Sequence, residues 1–253
     1  MFQTLLAKEF REQWRTWKMI VFLAVFLIIG IISPILAKYT PELLKSIPNL
    51  PAGLADFIPA PSVADSVAQY LKNTEQFGIL LVILLTMGVM AQEKERGTAA
   101  MLLSKPVSRS AVILAKWLTG MTILLGGLLV DGLACLAYTL VLFEPLPFGA
   151  FWIMNLLLFV TLGVYLSMAL MASALARSQS VAAAGAFGGL VVLLVLGSLP
   201  RVSEYMPGQL ANWGSSQVLK GDVPPAWPAL GVALGIILVA LLFACLRFER
   251  EEI

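Results

Sequence analysis

Long apolar stretches constrain this sequence more than any other feature. The first, Met19–Ala37, is uncharged and close to the roughly 20 residues that a helix needs to cross a bilayer. The whole chain is 59% hydrophobic and 13% charged, whereas soluble domains are about 45–50% apolar and about 25% charged. Because the chain departs from both averages in the direction of a membrane protein, we predict an all-α integral membrane protein.

Six stretches are predicted to span the membrane, within one transmembrane domain that covers residues 1–253. Their approximate bounds are 19–37, 74–91, 111–143, 149–176, 181–199 and 227–246. Pro34 lies near the end of the first span, where a kink or a stop is tolerated. Two longer connections, residues 38–73 and 200–226, are expected on the outer side. Short helices lying on the outer face are expected within the first, over Glu42–Ile47 and Val63–Leu71, since a loop of this length rarely lacks structure.

The N-terminal segment, residues 1–18, is predicted to form an amphipathic helix. Its apolar side chains recur at spacings of three and four and therefore share one face; they are Phe2, Leu6, Phe10, Trp14 and Trp17. A helix with aromatic side chains on its apolar face can lie in the headgroup layer of a membrane. We expect this interfacial position because the segment runs directly into the first span. The alternative is a solvated helix that packs on the protein's own cytosolic part.

The distribution of basic residues predicts the orientation. If the N-terminus is cytoplasmic, twelve of the 17 Lys and Arg residues lie on the inner side and five on the outer side. Inner segments carry the excess of basic residues in membrane proteins, so both termini are expected in the cytoplasm. The protein is therefore predicted to be a multi-pass protein of the cell (inner) membrane. Lys116 and Trp117 are expected to mark the cytosolic border of the third span.

Several kinds of chemistry are excluded by residues that the sequence lacks. There is no histidine, which removes the usual catalytic triads and most imidazole metal sites. There is no GxxxxGK[ST] phosphate-binding loop. Cys135 and Cys245 both lie in apolar runs and are expected to be buried thiols. The chain itself is predicted to be no enzyme, to hold no cofactor or metal and to bind no nucleic acid.

A short charged segment, residues 92–109, separates the second and third spans; we call it the charged elbow. Gly97 permits a tight turn, Thr98 is a suitable N-cap for a helix over Ala99–Ser104, and Pro106 ends that helix. Met101, Leu102 and Leu103 would give the helix an apolar face. Charged side chains surround it: Glu93, Glu95, Arg96, Lys105 and Arg109. An apolar centre with a charged rim suits a groove on a partner protein; the alternative is a plain solvated loop that obeys the charge rule.

Two runs within the elbow resemble a signature found after the second span of type-2 ABC transporter permeases. They are Glu93-Lys94-Glu95-Arg96-Gly97-Thr98 and Leu102-Leu103-Ser104-Lys105-Pro106-Val107-Ser108-Arg109. In that family the segment resembles a short cytosolic coupling helix that docks on the ATP-binding subunit. The order of elements is also similar, with an amphipathic N-terminal helix, six spans and a large first outer loop. This sequence departs from many members at 99–101, where Ala-Ala-Met stands in place of an acidic first turn.

The resemblance implies the permease subunit of an ATP-driven transporter, expected to be an exporter. Two permease chains would pair, as a homodimer, and each would contact one copy of a separate ATPase that carries the ATP and Mg. The coupling residues implied most directly are Glu93, Glu95, Arg96 and Thr98, and the docking helix adds Gly97, Met101, Leu102, Leu103, Lys105 and Arg109. The lipid bilayer surrounds the chain, and its outer loops leave room for an accessory protein.

Asp131 lies well inside the third apolar run, where a carboxylate is costly and functional by default. It is either an intramembrane polar site or an acid that hydrogen-bonds to hydroxyl groups within the bundle. Two other functions remain open beside the transporter subunit. One is a membrane anchor or sensor through which an ATPase acts on an outer-face enzyme without transport. The other is a proton-coupled secondary transporter that uses Asp131.

Overall fold

The computed structural model describes residues 2–46, 60–97, 108–221 and 223–250. These residues form helices and turns, with no strand among them. The helices are α1 Phe2–Arg15, α2 Lys18–Lys45, α3 Val63–Thr86, α4 Ala91–Glu95, α5 Arg109–Leu142, α6 Phe148–Leu175, α7 Gln179–Ser198, α8 Gly208–Lys220 and α9 Trp227–Glu249. Six stretches of the described chain are helical, long and apolar enough to cross a membrane: α2, α3 continued into α4, α5, α6, α7 and α9. The prediction of an all-α protein with six spanning helices is confirmed.

Helix α6 is the centre of the bundle. It packs against α3, α5, α7, α8 and α9, and α2 packs against α3 and α5 on one side of it. Side chains from several helices meet in the core without exposure to solvent, among them Phe26, Ile83, Leu124, Leu162 and Leu166. Because apolar surface is not expelled from lipid as it is from water, helix association in a membrane depends on such close packing.

The first two spanning helices extend beyond their predicted spans. Helix α2 continues past Ala37 to Lys45, with Pro34 and Pro41 inside it. A proline removes one backbone N–H donor from a helix, and the helix nevertheless continues through both positions. Residues 63–71, expected as a separate short helix, are the first turns of α3. Helix α3 begins at a capping box in which Ser62 N–H donates to Asp65 Oδ2 at 2.8 Å, a strong start signal.

The connection 200–226 contains a helix that the sequence did not predict. A 3₁₀ turn at Ser203–Tyr205 precedes α8, and α8 packs against α6 with Leu210 and Ala211 buried. The contact is close because Gly214 has no side chain. A Cβ there would lie 2.9 Å from Met154 Cα on α6. The segment therefore belongs to the bundle and closes one side of the cavity described below.

Helix α1 ends at Arg15, before the end of the helix predicted over residues 1–18. Trp17 joins α1 to α2 with φ +61°, a left-handed conformation that costs a non-glycine residue about 1–2 kcal/mol. The face of α1 that is turned to the bundle carries Leu5, Glu9 and Gln13, while Trp14 and Trp17 are exposed. Exposed aromatic side chains fit a helix in the headgroup layer, and that position stays a prediction.

Candidate functional site

The charged elbow begins at α4, and α6 holds its first turn. The buried Ser173 hydroxyl of α6 accepts hydrogen bonds from the backbone N–H groups of Met90, at 3.0 Å, and Ala91, at 3.1 Å. The first backbone N–H groups of a helix have no partner within the helix itself. A serine from a neighbouring helix supplies one here, so the start of the elbow is fixed to the centre of the bundle.

The side chains of α4 reach two further positions at the same end of the bundle. Lys94 donates to the carbonyl oxygen of Ala174 near the end of α6. Gln92 donates to the Gln179 side chain at 2.6 Å, and Glu95 Oε2 accepts from the Gln179 backbone N–H at 3.2 Å. Glu95 thus lies at the start of α7, where the helix dipole favours a negative charge. The elbow therefore bridges the end of α6 and the beginning of α7.

The turn that follows α4 has the geometry that glycine favours. Gly97 has φ +70°, and a Cβ built there would meet no atom within 4 Å. Its N–H donates to the Lys94 carbonyl oxygen at 3.1 Å, as in a left-handed helix end. Arg96 and Gly97 are exposed. The other predictions for the elbow lie outside the described residues. They concern the helix over 99–104 and the side chains Thr98, Met101, Leu102, Leu103 and Lys105.

The elbow ends at Arg109, the first residue of α5. Ser108 caps α5 by accepting from the Ala111 N–H. The Arg109 guanidinium donates to the carbonyl oxygens of Phe248, at 3.0 Å, and Glu249, at 3.1 Å. These carbonyls are at the C-terminal end of α9, where a cation is stabilised by the helix dipole. Arg109 thus binds α9 within the chain.

Four charged side chains at this end of the bundle form a network that we call the ion-pair cluster: Lys8, Glu9, Glu93 and Lys116. Lys116 Nζ lies 2.9 Å from Glu93 Oε1 and 3.1 Å from Glu9 Oε2. Lys8 Nζ lies 2.9 Å from Glu9 Oε1 and 3.2 Å from Glu93 Oε1. The Lys116 and Glu9 side chains are 1% and 2% exposed. The cluster joins α1, α4 and α5, and its two most buried charges, Lys116 and Glu9, are shielded from water, which strengthens their attraction.

Opposite charges shift the pKa values of Lys8 and Glu12 at the edge of the cluster. Burial alone would lower the pKa of Lys8, but Glu9, Glu93 and Glu12 raise that pKa above its ordinary value. Partial burial would raise the pKa of Glu12, but Lys8, 3.2 Å away, lowers it overall. Glu9, Glu12 and Glu93 could together offer ligands to a metal ion. The two ammonium groups of Lys8 and Lys116 already form ion pairs with these three carboxylates, which fits an ion-pair network rather than a metal centre.

Several residues of the site were not predicted to belong to it, among them Lys8, Glu9, Lys116 and Ser173. Lys116 was expected to mark the cytosolic border of a span, but it is buried between two carboxylates. Glu9 lies outside the apolar face predicted for α1, and the face that carries it is the one turned to the bundle. The sequence signal that could have identified Lys116 is its position one to two turns inside a long apolar run. A lysine is buried only with a partner.

Asp131 lies in a separate group of polar side chains between α3, α5 and α6. It is fully buried and accepts a hydrogen bond from the Thr74 hydroxyl at 2.8 Å. Beside it, the Tyr70 hydroxyl donates to Asn155 Oδ1 at 2.5 Å. This geometry favours the second reading of Asp131, an acid bonded to a hydroxyl group inside the bundle. The described residues that line the large cavity do not include it.

Two comparisons with known proteins agree with this architecture. The family model described as ABC-2 family transporter protein matches residues 3–253. The chain is also 28% identical, over 258 aligned positions, to an uncharacterized transmembrane protein of Bacillus subtilis (strain 168), YxlG. That alignment covers 98% of this chain and 97% of the relative. The similarity therefore extends over the whole bundle and is not confined to the elbow.

Proposed function

This chain belongs to the ABC-2 family of transporter proteins, and from that premise we propose that it is the permease subunit of an ATP-driven exporter. It is a multi-pass membrane protein with a transport role, and it is not itself the catalytic subunit. ABC-2 permeases generally pair with an ATPase. In our proposal that ATPase is a separate protein that supplies ATP and Mg, and one copy binds each of two permease chains.

The observation that carries this proposal is the way the elbow is fixed to the bundle. Its first turn is bonded to α6 through Ser173 and to α7 through Gln179. Glu93 joins it to α1 and α5, and Arg109 joins its end to α9. A force applied to the exposed turn at Arg96 and Gly97 would therefore reach five helices. A solvated loop with no mechanical role needs no such set of contacts.

These contacts refine the roles proposed for the elbow residues. Glu93, Glu95 and Arg109 bind within the chain, so we assign them to transmission between the elbow and the bundle. Arg96 is exposed and is our candidate for direct contact with the ATPase. The apolar side chains Met101, Leu102 and Leu103, with Thr98 and Lys105, remain the proposed docking helix.

The proposed orientation places the elbow and both termini in the cytoplasm, on the inner face of the cell membrane. It rests on the excess of Lys and Arg in the segments on that side. An ATPase in the cytoplasm could then bind the elbow directly. We propose that two copies of the chain pair within the bilayer.

The test is copurification with the ATPase followed by an ATPase assay. The chain, tagged and expressed in its native host, should copurify with a protein that contains a GxxxxGK[ST] loop and hydrolyses ATP. We expect Arg96→Glu and Gly97→Pro to reduce copurification or the stimulation of ATP hydrolysis by the permease. Arg201→Glu reverses an exposed charge at the opposite end of the bundle and should leave both unchanged. If both elbow variants behave as the unaltered chain does, the docking role is wrong.

A further inference from the structure

A large cavity lies at the end of the bundle opposite the elbow. Its volume is about 950 Å³. Residues 68–80 of α3, the last turns of α7 and the helix α8 form its sides, and Tyr165 of α6 contributes to its lining. A volume of this size is typical of sites for small organic molecules, which are mostly apolar with a few placed polar groups.

The walls of the cavity divide into an apolar part and a polar part. The apolar part consists of leucine and isoleucine side chains from α3 and α7, among them Leu71, Ile79, Leu190 and Leu193. The polar part is formed by Glu75 of α3 with Gln209 and Asn212 of α8. Gln209 and Asn212 hydrogen-bond to each other at 3.2 Å. A ligand that matches both parts is amphipathic.

Glu75 is the distinctive group in this cavity. Its side chain is half-buried, and it forms neither a hydrogen bond nor an ion pair with any residue in the described part of the chain. Its Oε1 lies 4.0 Å from the position that a Cβ on Gly208 would occupy. A carboxylate removed from water costs free energy unless a partner compensates it. The cavity thus presents a negative charge without a partner from the described residues.

An aromatic side chain lines the same cavity as this carboxylate, Tyr165 of α6. A carboxylate and an aromatic ring that border one cavity can bind an ammonium group together, because the ring face attracts a cation as the carboxylate does. Lys72 also reaches the cavity, but it is exposed, so water screens its charge. The half-buried negative charge therefore dominates recognition.

We propose that this cavity binds an alkylammonium amphiphile, with the ammonium group at Glu75 and Tyr165 and the alkyl chain along the leucine-rich wall. The inference rests on the proposed transport function in that such a molecule would be the substrate. The ammonium group can belong to a free cationic amphiphile or to the headgroup of an ethanolamine lipid. Both present the same chemistry to Glu75, so the experiment must separate the two sources.

The test measures binding to the permease chain alone, without an ATPase. The chain is placed in nanodiscs of digalactosyldiacylglycerol, a lipid without charge or ammonium group. Octyltrimethylammonium is titrated calorimetrically, with empty nanodiscs subtracted. We expect saturable binding, and no comparable binding of octanesulfonate, which has the same chain with an anionic head. Equal binding of the sulfonate would overturn the proposal.

Substitutions of Glu75 and of a control carboxylate test whether the probe binds in this cavity. Glu75→Gln removes the charge with little change in shape, and we expect Kd to rise about tenfold or more, because the attraction between the carboxylate and the quaternary ammonium charge is lost. Glu75→Asp keeps the charge and should retain most of the affinity. Glu144→Gln removes an exposed carboxylate outside the lining of the cavity and should bind as the unaltered chain does. An unchanged Kd in Glu75→Gln would refute the role of Glu75.

The source of the ammonium group follows from the lipid composition. Increasing shares of phosphatidylethanolamine in the nanodiscs will weaken octyltrimethylammonium binding if the lipid occupies the cavity. Binding that is independent of this lipid identifies a free amphiphile as the occupant. Neither result depends on the ATPase, so a failure of ligand binding leaves the docking role of the elbow standing. Conversely, a failure of copurification leaves the binding result standing.

Discussion

Replacing Lys116 by methionine should destabilise the protein more than replacing any exposed lysine. The Lys116 ammonium group is 1% exposed and lies within 3.2 Å of carboxylate oxygens of both Glu9 and Glu93. Methionine has a similar length and no charge. The substitution would leave two buried or largely buried carboxylates facing each other, with Lys8 as the remaining cation of the ion-pair cluster.

The magnitude follows from the burial of the groups left behind. Glu9 and Glu93 are 2% and 15% exposed, whereas Lys8 is 41% exposed. Removing one partner of a buried ion pair costs about 3–5 kcal/mol, because the other charge stays buried without compensation. Lys8 still lies 2.9 Å from Glu9 and 3.2 Å from Glu93 and compensates these carboxylates in part, so we expect Lys116→Met to lose about 3 kcal/mol, the lower end of this range. Replacing both Glu9 and Lys116 by methionine removes one charge of each sign, so the double variant should be less destabilised than Lys116→Met alone.

The assay is unfolding of the purified chain in dodecyl maltoside micelles by added dodecyl sulfate, followed by circular dichroism. Lys18→Met alters an exposed lysine and should change the free energy of unfolding by no more than about 0.5 kcal/mol. The reasoning is refuted if Lys116→Met matches Lys18→Met. It is also refuted if the double variant is less stable than Lys116→Met, since the two charges would then not compensate each other.

Three further substitutions test other parts of the fold, two by the same unfolding assay and the third, Asp131→Asn, by function as well. Gly97→Ala should lose about 1–2 kcal/mol, because φ is +70° and no neighbouring atom obstructs the new methyl group; no loss would contradict the left-handed turn. Gly30→Ala should lose about 1–3 kcal/mol by overpacking, since its Cβ would lie 2.3 Å from the backbone oxygen of Asp131. Gly235→Ala, with open space around it, is the matched control and should be at least as stable as the unaltered chain. Asp131→Asn should fold and retain ATP-dependent function, because an amide oxygen can still accept from Thr74; loss of function with normal stability would restore a role for the carboxylate.

The number and type of spanning helices could be predicted from the sequence because membranes impose a length on apolar runs. The bounds of the helices could not. Helix α2 continues through Pro34 and Pro41, although a proline usually favours a helix end. Contacts with α3 and α5 retain it, and such contacts are made between residues distant in sequence.

The candidate site likewise contains residues whose role could be predicted from the sequence and residues whose role could not. Gly97 could be assigned to a turn from its residue type, since glycine alone adopts a left-handed conformation freely. The partners of Glu93 could not be assigned, because Lys8 and Lys116 approach it from two other helices. The role of Ser173 could not be predicted, because a serine inside an apolar run usually hydrogen-bonds within its own helix. Here it caps a different helix.

The most direct test of the coupling role is a cross-link from the elbow to the ATPase. Cys135→Ala and Cys245→Ala remove the native thiols, and Arg96→Cys then places a single reactive thiol on the exposed turn. A bifunctional reagent of short reach should join this position to the copurified ATPase, whereas Arg201→Cys at the opposite end of the bundle should form no such product. If the complex is intact and Arg96→Cys forms no cross-link to the ATPase, or if Arg201→Cys forms one as readily, the elbow is not the docking element.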